Sequence, residues 1–73
     1  MDWVEIEKLQ HRIVRLRDSG WVTLGTLERE AGVRRNWCRY FVGGTPSSMR
    51  MGDRDMLRVR AAINRMKADM VTV

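Results

Sequence analysis

One cysteine, one proline, one histidine and two lysines are all that this chain of 73 residues holds of those types. Each scarcity excludes something. With Cys38 alone there is no internal disulfide, and with His11 as the only other thiolate or imidazole ligand there is no closed zinc site, which needs about four. Those same two residues are the only candidates for a nucleophile with its base, and they fall in different helical segments. No glycine pattern of a nucleotide-binding loop is present, and Glu28 and Glu30 sit about 160° apart around a helix, too far to converge as acid and base. Neither an enzyme nor a cofactor is expected. No apolar run approaches the roughly 18 residues of a membrane span, and the opening MDWVEIE is acidic, so neither a span nor a signal peptide is expected and the default residence is a reducing cytoplasm.

What the chain has in quantity is arginine. Fourteen bases against nine acids leave a formal charge of +5, and twelve of the fourteen are arginine. The guanidinium fork makes bidentate contacts to phosphate oxygens or a guanine edge that a lysine ammonium does not, so a polyanionic partner is expected beside the plainer reading of a solvated basic surface. A single domain of this length rarely gains more than about 3–5 kcal/mol from its core, which makes efficient helix packing, a second copy of the chain, or both the expected supports.

Periodicity gives an all-α, four-helix domain. Ile6, Leu9, Ile13 and Leu16 recur at three- and four-residue steps, so a first helix is expected over about 2–18, capped by Asp2 with Glu5 reaching back, and ended by Gly20 with Trp21 folding onto Leu16. Thr23 caps a short second helix with Leu24, Leu27 and Ala31 inward and Gly32 at its end. After a turn of about three residues, a third helix is expected from about Arg35 to Val42, with Trp37, Cys38 and Phe41 as its apolar positions. Residues 43–52 compose a loop. The last helix, about 53–70, carries Met56, Val59, Ile63, Met66 and Met70 on an a/d stripe that suits packing on the first helix, on a copy of itself as a dimer seam, or on both.

The stretch LGTLEREAGVRRNWCRYFVGG, Leu24 to Gly44, places Leu27, Ala31, Gly32, Val33, Cys38 and Phe41 at the offsets of a helix-turn-helix. It resembles the lambda repressor-like helix-turn-helix family, the Cro and repressor proteins of bacteriophages and their bacterial relatives, and the likeness runs on through Gly44, Thr45 and Pro46. The chain departs from that family at Glu28, where a small residue is usual and an outward-swung carboxylate is therefore expected, and in having four helices where five are general. The resemblance implies that the third helix enters the major groove, with Arg34, Arg35 and Asn36 at its start, Arg39 and Tyr40 a turn later, and Thr23 and Arg50 as further DNA contacts. No acidic residue lies between Glu30 and Asp53, where phosphate would be tolerated.

These residues lead to an expected sequence-specific regulator of transcription, of repressor type and of bacteriophage or bacterial origin, binding double-stranded DNA as a homodimer in the cytoplasm of a bacterial cell. Two other readings fit the same residues. One is an architectural or recombination-directionality protein that binds DNA in tandem copies; the other is a protein-interaction or inhibitor module working through the methionine stripe. Trp37 and Cys38 are expected in the core rather than as a base-stacking ring or a reactive thiol.

Overall fold

The computed structural model describes residues 1–45 and 52–71, and for 67–71 the helical backbone alone. The described residues form four helices and no strand: α1 (Trp3–Asp18), α2 (Leu24–Ala31), α3 (Trp37–Gly43) and α4 (Asp53–Val71). The all-α architecture follows from the helical spacing of apolar residues, and the boundaries follow from local chemistry. Asp2 Oδ1 accepts the Glu5 N–H at 2.9 Å and so satisfies one of the orphan donors that every helix start leaves. At the other end of α1, Gly20 takes a left-handed φ of 74°, its N–H donates to the Arg17 carbonyl, and the Trp21 N–H donates to the Leu16 carbonyl. That is a Schellman ending, with Leu16 and Trp21 both against the core.

The second helix repeats the device. Thr23 Oγ1 accepts the Thr26 N–H at its start, and Gly32, at φ 71°, closes its end with Val33 N–H donating to the Glu28 carbonyl. The third helix starts later than Arg35. The Trp37 N–H donates to the Arg34 carbonyl, and among the described non-glycine residues Asn36 alone has a positive φ, 69°. Residues 34–37 therefore make a type II turn with asparagine at its left-handed position, and Arg34 and Arg35 precede the helix rather than open it. At the far end, Gly43, expected in the loop, completes α3.

The core is one cluster built from all four helices. Ile6, Leu9 and Ile13 come from α1, Leu27 from α2, Trp37, Cys38 and Phe41 from α3, and Met56, Val59, Ala62 and Ile63 from α4, with Val22 joining from the first connection. Trp37 and Phe41, one turn apart, stack with ring centroids at 4.8 Å and planes at 19°, a geometry that adds about 0.5–1.5 kcal/mol to the area they bury. The fourth helix packs chiefly on α2 rather than on α1. Polar contacts tie α1 to α4: Arg12 donates to Asn64 Oδ1 at 2.6 Å, and the Met1 amine meets Asp53 at 2.7 Å.

Met56, Val59 and Ile63, three of the five positions suited to a dimer seam, are buried within one copy, at 1% exposure or less. They are not free to meet a second copy. Met66 is half-buried against the same core, and the Met70 side chain lies outside the described residues.

Candidate nucleic-acid interface

The third helix is positioned by two buried polar side chains, one at each end. At its start, Asn36 occupies the cap position but its side chain makes no capping bond. The cap comes from α2 instead. Glu28 is 6% exposed, and its carboxylate bridges the turn and the helix, Oε1 accepting the Asn36 N–H at 3.1 Å and Oε2 the Cys38 N–H at 2.9 Å. The expected outward swing is corrected here. A carboxylate on the buried side of α2 meets unpaired N–H groups and the positive end of α3, and two charge-assisted hydrogen bonds offset its desolvation. At the other end, Gln10 of α1 is also buried and donates through Nε2 to the carbonyls of Phe41 at 2.6 Å and Gly44 at 2.9 Å. The Phe41 carbonyl also accepts the Gly44 N–H at 3.3 Å, so the amide joins the backbone in capping the C-terminal end of α3.

Cys38 lies beneath this arrangement with no exposed surface. Its thiol is pushed up to about 12, first by burial and then by the negative charge of Glu28, so it is held neutral and unreactive.

With Trp37, Cys38 and Phe41 turned inward, the opposite face of α3 is left to solvent. Asn36, Arg39, Tyr40 and Gly43 line an open groove there of about 450 Å³, and Tyr40 is 70% exposed. Arg34 and Arg35 are exposed in the turn before it. Among the described residues none of the guanidinium groups of Arg34, Arg35 and Arg39 is in an ion pair, whereas Arg17 and Arg65 have carboxylate partners. The structure thus brings Asn36, Arg39 and Tyr40 onto one exposed face and sets Arg34 and Arg35 beside them. Thr23 stands apart at the start of α2, exposed, with its hydroxyl engaged by Thr26: it accepts from the Thr26 N–H and donates to Thr26 Oγ1 at 2.8 Å. Arg50, Pro46 and the serines after it lie outside the described residues. His11 is exposed on α1. Among the described residues, no group of three or more histidine, cysteine or acidic side chains is gathered as a metal site would need, and no helix is long and apolar enough to cross a membrane.

Glu28 and Gln10 are the residues that sequence reasoning missed. The signal for Gln10 was its place beside Leu9 at the edge of the apolar stripe; the signal for Glu28 was its position directly after buried Leu27. Comparison of the chain with protein-family models, with curated proteins and with solved structures returns no match.

Proposed function

We propose that this chain is a DNA-binding regulator of helix-turn-helix type, in which α2 and α3 form the motif and α3 enters the major groove with Asn36, Arg39 and Tyr40 toward the bases. The observation that carries the reading is the division of α3 into two faces. One face is consumed by the core, and the other offers an amide fork, a guanidinium fork and a phenol, with no carboxylate among the described residues that line the groove. Glu28, whose carboxylate lies at the start of α3, spends both oxygens on backbone N–H groups. Arginine pairs with guanine O6 and N7 and asparagine with adenine N6 and N7, each worth about 1–3 kcal/mol of discrimination.

The protein would act in the bacterial or phage-infected cytoplasm without catalysis, and repression by occupying a promoter is the simplest use of such binding. Two copies on a two-fold site, with half-sites about 34 Å apart or a multiple of it, would supply the affinity that one short helix lacks. The second copy would meet a surface other than Met56, Val59 and Ile63. Titrating the purified protein into duplex DNA from upstream of its own coding sequence, and into random duplex, at about 150 mM salt tests the reading. Preference for the upstream DNA is expected, and equal affinity for both contradicts an operator-binding role. Footprints on tandem repeats rather than an inverted pair would favour the architectural role instead.

A further inference from the structure

A second groove lies on the other side of Arg35. It is open, of about 420 Å³, and is lined by Gly25, Glu28 and Arg29 of α2 and by Val33 and Arg35 of the connection to α3. Two cations therefore face one small groove. Two acids, Glu28 and Glu30, lie beside Arg29 in the chain. Both are engaged elsewhere: Glu28 accepts the N–H groups of Asn36 and Cys38, and Glu30 lies 3.6 Å from Arg65. Among the described residues neither Arg29 nor Arg35 is in an ion pair. With the Glu28 carboxylate turned to the backbone of α3, the two guanidinium groups leave the groove a net positive charge, and an anion between them would be attracted to both.

The floor of the groove adds a separate observation. Gly25 is helical without a left-handed φ, and a Cβ placed there would meet nothing within 4 Å. The fold thus has no steric need for glycine at this position. Arg29 follows Gly25 by four positions, which sets both on one face of α2, and a bare backbone there lets a bulky anion approach.

We infer that this groove holds a phosphodiester of the duplex backbone, gripped by Arg29 and Arg35, while the neighbouring groove of Asn36, Arg39 and Tyr40 reads the bases. The inference rests on the DNA-binding reading above and refines it, since it makes Arg35 a phosphate ligand and adds Arg29. A phosphate contact strengthens binding to all sequences alike and carries the salt dependence, whereas a base contact carries the preference between sequences.

The test measures duplex binding by fluorescence anisotropy over about 50 to 200 mM salt, for the wild-type protein and for Arg29→Ala, Arg35→Ala, Arg29→Lys and Asn36→Ala, on upstream and random duplexes. Each alanine variant at Arg29 or Arg35 is expected to lower the logarithmic salt slope by about 0.9, so that its affinity falls about 3.5-fold less than that of the wild type across the range. The ratio between the two duplexes should stay unchanged. Arg29→Lys keeps the point charge and should keep the slope, while Asn36→Ala should keep the slope and shrink the ratio. An unchanged slope in Arg29→Ala and Arg35→Ala, or a changed ratio, overturns the phosphate assignment while leaving DNA binding in place. Absence of wild-type binding to any duplex overturns both.

Discussion

Replacing Glu28 by alanine should cost more stability than any other surface-sequence change in α2, because two backbone donors depend on it. Its oxygens accept from Asn36 at 3.1 Å and Cys38 at 2.9 Å on the buried side of the helix. A hydrogen bond to a charged group is worth about 1.5–3 kcal/mol, and loss of a helix cap about 1–2 kcal/mol; since the two bonds share one carboxylate and are not additive, a total near 3 kcal/mol is reasonable. For a domain of this size, holding roughly 4–10 kcal/mol, that is a third or more of the whole. With a urea slope of about 1 kcal/mol/M, the unfolding midpoint followed by tryptophan fluorescence should fall by about 3 M. Glu28→Gln keeps one good acceptor and should lose about half as much. The internal control is Glu30→Ala, which removes only an exposed contact to Arg65 and should change stability by less than about 0.5 kcal/mol. If Glu28→Ala matched Glu30→Ala, the carboxylate would not be the cap of α3, and the fixed presentation of its outer face would lose its cause.

Two further outcomes follow from the groups packed around α3. Gln10→Ala removes the side-chain donor to the carbonyls of Phe41 and Gly44, the first of which keeps the Gly44 N–H, and should cost about 1–2 kcal/mol, with faster amide hydrogen exchange in the last turn of α3; unchanged stability would remove Gln10 from the C-terminal cap. Cys38, neutral and buried, should resist alkylation by iodoacetamide in the native protein and react once urea unfolds it, so rapid stoichiometric labelling under native conditions would contradict its placement. The same thiol gives a pH dependence. Its ordinary value is 9.0 and its folded value about 12, so between these the unfolded chain has lost a proton that the native chain keeps. Its contribution is therefore intact below pH 9 and is lost as pH rises toward about 12, and Cys38→Ala should show a shallower alkaline decline than the wild type.

The parts of the fold that depend on neighbours in the chain were legible from the residues. Asp2, Thr23, Gly20 and Gly32 end or begin helices by bonds spanning three to five residues, and each does in the structure what its type and position imply. The inward set on α3 was legible too, since Trp37, Cys38 and Phe41 share one helical face. What depended on distant residues was not. The start of α3 is set by the left-handed Asn36 and by Glu28, eight and ten residues before the N–H groups it receives, and no local pattern encodes that reach. The Glu28 side chain, expected outward because a small residue is usual at that position, turned inward because its partner is the end of another helix. The stripe on α4 gave its own width but not what covers it, and α2 proved the main neighbour.

The central claim is that the outer face of α3, held by Glu28 and Gln10, is a surface for duplex DNA. Amide and side-chain NMR spectra of the isotope-labelled protein, titrated with duplex from its upstream region, test it most directly. The expected result is perturbation concentrated at Asn36, Arg39, Tyr40 and Gly43, with Arg29 and Arg35 beside them, and the core signals of Trp37 and Ile63 largely unmoved. Perturbation centred instead on the exposed Trp3, Val4 and Leu57, or none at all, would contradict it.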